Sequence, residues 1–291
     1  MSNYGRQNAT RPPSPLKSCR YTPSKNPSRG RRDRYGLAIA GDFDYETHGA
    51  GYATRRRTDP RIARLVHAAL GDARSVLNVG AGAGSYEPLD REVTAVEPSA
   101  QMRAQRPADR PPAIDAVAEN LPFPEDNFDA AMAMITIHQW SDADRGLREL
   151  RRVSRGPVVV LTFDGDALDT LWLAAYAPEL IAAERRRYPS IEHVCHVLAG
   201  PTGGAPTVTP VPIPFDCVDG FTEAFYGRPE RFLEASVRRG QSAWGFVDDE
   251  TEARSVDRLR ADLASGEWDR CYGHLRTQPE FIGALRLITA R

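Results

Sequence analysis

Lysine is nearly missing: of 38 basic residues only Lys17 and Lys25 are lysines, and the rest are arginines. With so much alanine alongside, this skew reads as the codon bias of a GC-rich genome and points to a bacterial protein. Cysteine is also scarce. Cys19, Cys195, Cys217 and Cys271 are scattered with no CxxC pair, which excludes a disulfide framework and suggests a reducing compartment, the cytoplasm. No apolar run approaches the roughly 20 residues that span a bilayer, and no signal-peptide core stands near the start. An excess of one charge is lacking too. The formal net charge is −1, so the folded part carries no electrostatic footprint of a nucleic-acid binder. His193, Cys195, His196, Cys271 and His274 match no common zinc spacing, so no metal is expected.

What is present suits a packed α/β protein. Apolar residues make up 41% of 291 positions, enough for one large domain with an insertion or a small cap. Residues 1–35 stand apart, with nine basic residues, one acid (Asp33) and no hydrophobic periodicity. Their composition is that of a disordered basic tail. The folded domain is expected over 36–291, with helical insertions near 164–206 and 222–275. Asp59-Pro60 opens a helix whose apolar face is Ile62, Leu65, Val66, Ala69 and Leu70, and Gly71 ends it. Strands are expected at 75–79, 92–96, 113–118, 128–136 and 157–163. Helices are expected from Ser85, from Ser99 and over 141–155, the last with Ser141 and Asp144 as an acidic capping box. Further on, the pattern predicts helices at 166–187, 228–240 and 249–265, a strand near 207–213 and a closing strand over 281–289. The triplet Arg185-Arg186-Arg187 reads as a solvated helix end. Strands alternating with helices imply right-handed crossovers and a doubly wound parallel sheet.

The most informative stretch is Val76-Leu-Asn-Val-Gly-Ala-Gly-Ala-Gly-Ser-Tyr86. A short apolar run ends in Gly80, Gly82 and Gly84. Seventeen residues after Gly80, the run Val93-Thr-Ala-Val96 ends in Glu97. A strand, a glycine turn and an acid-tipped second strand make a nucleoside cradle at the carboxyl edge of a sheet. A dinucleotide prefers G-x-G-x-x-G, because its pyrophosphate sits on a helix N-terminus. Here the spacing is G-x-G-x-G, and Glu87 near an expected helix start would repel a phosphate. A donor with a sulfonium, an amine and a carboxylate suits the loop better.

The residues that follow point the same way. Val117-Ala-Glu-Asn-Leu-Pro-Phe123, Phe128-Asp129-Ala130 and Ile137-His-Gln-Trp140 come in order. The series resembles that of the class I S-adenosylmethionine-dependent methyltransferases, specifically the small-molecule type-11 (UbiE-like) group, over about 75–163. The resemblance implies a Rossmann-like seven-stranded sheet with its last strand antiparallel, and S-adenosyl-L-methionine over the first strand ends. It implies Gly80, Ala81, Gly82 and Gly84 under the donor, Glu97 on the ribose and Pro98 and Met102 beside the adenine. Ala118 and Glu119 would lie at the adenine edge, and Thr136, Ile137 and His138 would face the methyl donor. Two positions depart from the family: Asn78 stands where an acid is usual, and Val117 replaces another. Asp115 would share the face of Val117 in a regular strand, and Tyr45, Tyr52 and Arg55 could take over lost contacts.

The implied reaction is an in-line methyl transfer to a small molecule, which needs alignment more than covalent help. His138 is the candidate base, or else a wall of the donor pocket. Trp140, Tyr226 and Trp244 are candidate acceptor contacts, from an aromatic set that also includes Trp172, Phe221 and Phe232. Competing readings are an RNA- or protein-directed methyltransferase using the basic tail, a catalytically inactive donor-binding protein and, more remotely, a nicotinamide dehydrogenase.

Overall fold

The structure is a computed structural model that describes residues 55–199 and 204–291. The expected tail (1–35), Tyr45 and Tyr52 lie outside the described residues. Helix α1 (Pro60–Ala69) begins where the Asp-Pro signal places it: the Asp59 carboxylate accepts from the Arg61 amide, and Pro60 occupies the first helical position. Strands β1 (Ser75–Val79) and β2 (Glu92–Val96) have the expected bounds. Helix α2 (Ala100–Arg103) follows, capped by the Ser99 side chain on the Met102 amide. Next come β3 (Ala130–Met134), α3 (Ala143–Val153) and β4 (Val158–Phe163). The cap of α3 is Asp142, whose carboxylate accepts from the Arg145 amide, rather than Ser141.

Four expectations are corrected. No helix follows β1: residues 82–86 form turns and β2 begins at Glu92, and the six residues between Ser85 and β2 are fewer than two helical turns. The strand expected at 113–118 shrinks to one parallel bridge, Val96 to Ile114. Pro111 and Pro112 supply no ladder donors there, and Asp115 turns out to Arg103 at 3.0 Å. The long helix over 166–187 is broken into a 3-10 turn (Gly165–Thr170), α4 (Leu173–Tyr176) and α5 (Pro178–Arg187). Pro178 has no N–H to continue α4, so it opens a new helix. The helix over 228–240 is a 3-10 turn (Pro229–Leu233) and α7 (Ala235–Arg238), after α6 (Ile191–Ala199).

Strands β5 (Thr207–Pro210), β6 (Ile213–Pro214), β7 (Glu280–Phe281) and β8 (Leu285–Ala290), with α8 (Asp249–Ser265) and α9 (Glu267–Tyr272), complete the described chain. Among the described residues the main sheet has six strands, in the order β2-β1-β3-β4-β8-β5, where seven are expected. β1 to β4 are mutually parallel, with Val76 opposite both Val93 and Ala130, and β8 runs antiparallel to β4 and β5. β1, β3 and β4 are buried on both faces, whereas the edge strand β5 is exposed. Val76, Met132 and Val159 pack toward α1 and the C-terminal half, and Leu77, Ala133 and Val160 toward α3 and α6. The C-terminal half has its own aromatic centre. Trp172 meets Trp268 and Phe232 edge-on at 5.6 and 5.5 Å, and its indole N–H donates to the Tyr226 carbonyl at 2.7 Å.

One carboxyl in this half is poised to titrate. Glu223 is fully enclosed; one oxygen accepts from the Ala284 amide at 2.8 Å, and Oε2 has no partner. Burial pushes its pKa from 4.5 up to about 7. Between those values the folded chain holds a proton that the unfolded chain has lost, so stability falls as pH rises through the window. The full effect is about 3 kcal/mol. Glu223→Gln is therefore expected to flatten the fall in unfolding free energy between pH 5 and 8. Parallel slopes for variant and parent in denaturant melts would refute this.

Candidate active site

The chain leaves β1 toward β2 on one side and returns to β3 on the other, so a crevice opens at the carboxyl ends of β1 and β3. Gly80 and Ala81 donate their amides to the Val96 carbonyl at 2.9 and 3.0 Å, which folds the loop over the sheet edge. Gly80 has φ +67°, and a Cβ there would lie 2.2 Å from Thr136 Oγ1. Glu97 is buried at the tip of β2 and accepts from the Gly82 amide at 2.8 Å and the Ser99 amide at 2.9 Å. Burial raises its pKa, while those two amides, Arg103 and Arg106 pull it back. A cavity lies here, and Gly80, Ala81, Gly82, Glu97, Met102 and Thr136 line it together. The site fits an S-adenosylmethionine nucleoside: a backbone cradle without side chains, beside a carboxylate whose remaining lone pairs can accept from ribose hydroxyls.

Other expected positions lie behind or beside this cavity. The Asn78 amide donates to Glu87 Oε1 at 2.9 Å, and its own Oδ1 is buried without a partner. Glu87 does not confront a ligand, contrary to the expected repulsion of phosphate. It is buried and paired with Arg106 at 2.9 and 3.0 Å and Arg110 at 3.1 Å. Gly84 passes closely over that carboxylate: a Cβ would stand 3.1 Å from Glu87 Oε2. Pro98 accepts from Arg103 at 2.8 Å through its carbonyl. Ala118 is buried in the core, and Glu119 accepts from the Ser141 hydroxyl at 2.8 Å and the Asp142 amide at 3.0 Å, where it steadies the start of α3. Ile137 is fully buried. The Arg55 carbonyl accepts from the Gly220 amide, and its side chain lines a separate cleft with Arg57 and Arg228. It is Arg56 that reaches the donor cavity. Its guanidinium bonds Asp219 at 2.6 and 3.3 Å, and the Tyr86 hydroxyl donates to the same carboxylate at 2.7 Å.

A second cavity adjoins the first and shares Arg56, Ile135 and Gln139 with it. His138, Phe163, Tyr188, Phe221 and Gln241 contribute to its wall. The His138 ring lies 4.5 Å from that of Tyr188. Burial first, then Arg187 and Arg56, holds the imidazole well below its ordinary pKa, so it is neutral at neutral pH. The proposed solvated helix end is corrected at Arg187. Its side chain is buried, pairs with Glu184 and lies over the Phe246 ring at 4.3 Å. Trp140, Tyr226 and Trp244 do not line this cavity. Trp140 lies over Gly146, Tyr226 stacks on Phe281 at 5.0 Å and Trp244 packs near Phe232. Arg56 and Gln241 are marked by no local motif in the sequence, and Phe221 is legible there only as one of the aromatic set.

The methyltransferase domain family matches residues 77–160. A solved protein from Anabaena variabilis, assigned as a methyltransferase of an antibiotic biosynthesis pathway, is 30% identical; the match covers 82% of this chain and all of that one, with a TM-score of 0.76. The chain belongs to the class I S-adenosylmethionine-dependent methyltransferases. This methyltransferase is also 26% identical to malonyl-[acyl-carrier protein] O-methyltransferase of Halorhodospira halophila over 152 residues, 48% of this chain and 52% of that protein. The uncharacterized methyltransferase YcgJ of Bacillus subtilis is 30% identical over 89 residues, 27% of this chain and 35% of YcgJ. The matches thus span between about a third and a half of these two relatives.

Proposed function

We propose that this methyltransferase acts on a small-molecule acceptor held in the second cavity, within a domain over residues 36–291. The observation that carries this reading is the seam between the cavities. Arg56, Ile135 and Gln139 belong to both walls, so a donor over Gly80–Gly82 and an acceptor beside His138 would meet there. The near-neutral charge of the chain supports a small acceptor over a nucleic acid.

Bound S-adenosylmethionine supplies an already activated methyl group on its sulfonium. The chain's share is then to align the partners and to exclude water. Glu97 would hold the ribose, Gly80 to Gly82 would admit the donor closely, and Met102 would flank the base. His138 touches the acceptor. It takes a proton only if the acceptor arrives protonated and the imidazole offers a bare nitrogen. Among the described residues no helix is long and apolar enough to cross a membrane; we take the bacterial cytoplasm as the working compartment.

Titration calorimetry with S-adenosylmethionine tests the reading. The parent chain should bind, and Glu97→Ala should weaken binding about 10- to 100-fold, the usual effect of removing a charged hydrogen-bond acceptor. Failure of the parent to bind at millimolar donor would end it.

A further inference from the structure

Several N–H-bearing side chains line the acceptor cavity, and the one carboxylate among its described lining residues is engaged in an ion pair. We propose that the methyl-receiving group of the acceptor is a carboxylate, so that the product is a methyl ester; this rests on the methyltransferase reading of the same site.

Two buried side chains carry the inference. Gln241 is only 6% exposed, and its Oε1 accepts from the Thr222 hydroxyl at 2.9 Å. Its Nε2 has no partner, and Gln241 is one of the residues that line the cavity. His138 is 7% exposed. The Gln139 amide nitrogen stands 3.3 Å from His138 Nε2. When that amide donates to Nε2, the neutral ring carries its proton on Nδ1. Nδ1 is also buried without a partner. Arg56 adds positive charge at the seam, held in place by Asp219. Glu184 is the one carboxylate lining this cavity among the described residues, and it is engaged by Arg187.

Two orphaned donors each carry a desolvation cost that a ligand with two oxygen acceptors removes. A carboxylate offers both oxygens and is ionised at neutral pH. A hydroxyl acceptor would bring another donor into a donor-lined site and would need a base that the Nδ1–H tautomer does not provide. With a carboxylate the step balances without proton transfer: the O–CH3 bond forms as the S–CH3 bond breaks, and its electron pair stays on sulfur. The imidazole, kept neutral by burial, serves throughout as a donor. Phe163, Tyr188 and Phe221 form one wall, and Phe163 also lines an apolar recess with Leu168 and Leu180. The carboxylate is thus carried on an apolar body.

Two measurements on the full chain with S-adenosylhomocysteine present decide it. In 15N-resolved NMR of the imidazoles, with the His138 signals identified by their loss in His138→Gln, the expected tautomer is Nδ1–H; a bare Nδ1 overturns the proposal. In calorimetry, benzoate, phenylacetate and 3-phenylpropanoate are compared with their primary amides. At least one carboxylate should bind about tenfold tighter than its amide, and Gln241→Glu, checked by its melting temperature, should erase that preference. Amides binding as well as the carboxylates, or no carboxylate binding, overturns the proposal while the donor titration stands. If the donor itself does not bind, the broader reading fails and takes this one with it.

Discussion

Gly80→Ala is expected to destabilise the protein by about 2–4 kcal/mol and to remove measurable donor binding. Two independent effects add. At φ +67° an alanine is held in the left-handed region, a cost of roughly 1 kcal/mol. Its Cβ would also stand 2.2 Å from Thr136 Oγ1 and 2.9 Å from Thr136 Cβ and Cγ2. Thr136 follows β3 and lines the donor cavity, so relief of the clash must move either the loop or the strand end that the donor lies against. Denaturant melts and donor calorimetry read the two losses separately. The second variant Gly80→Ala/Thr136→Gly removes the clash and keeps the backbone strain, so it should recover part of the stability. A single variant that melts and binds like the parent would show that the loop does not need glycine at this position.

Glu87→Ala is expected to cost about 3–5 kcal/mol, the effect of leaving a buried charge without its partner. The Arg106 side chain is 4% exposed, and both its ion-pair bonds go to Glu87. Arg110 and Asn78 lose the same carboxylate. Glu87→Gln retains the shape and removes the charge, so it should fall between Glu87→Ala and the parent. Because Glu87 ties the glycine loop to residues 106–110, donor affinity should weaken in step with stability. Unchanged unfolding free energy in both variants would mean that the cluster adds nothing net.

The central sheet was largely readable from local pattern. β1 and β2 are short, mainly apolar runs closed by Gly80 and Glu97, and α1 opens on Asp59-Pro60, so residues only a few positions apart decide their bounds. Donor-side residues were readable for the same reason: Gly80, Gly82, Glu97 and Met102 belong to one short stretch that folds on itself. Legibility failed where distant segments decide. A helix after Ser85 agrees with the alternation of strands and helices but not with the six residues left before β2. Ile114 pairs with Val96 yet cannot extend the ladder past Pro111 and Pro112. The acceptor wall depends on Arg56 meeting Asp219, 163 residues away, and on Gln241 meeting Thr222 across 19. The aromatic set was visible as a set, but position in space separates Phe221, which lines the cavity, from Tyr226 and Trp172, which pack in the core.

The short path from β1 to β2 bears on which nucleoside the crevice prefers. In a dinucleotide fold the turn after the first strand runs straight into a helix, whose free amides and partial positive charge attract pyrophosphate. Here the loop closes through the Gly84 amide on the Ala81 carbonyl, and no helix follows β1 before β2. A pyrophosphate loses its main anchor, whereas a sulfonium escapes a field that would oppose its charge. Selectivity between two cofactors that share a ribose and an adenine thus follows from an electrostatic omission, and Glu87, neutralised beneath the loop, has no part in it.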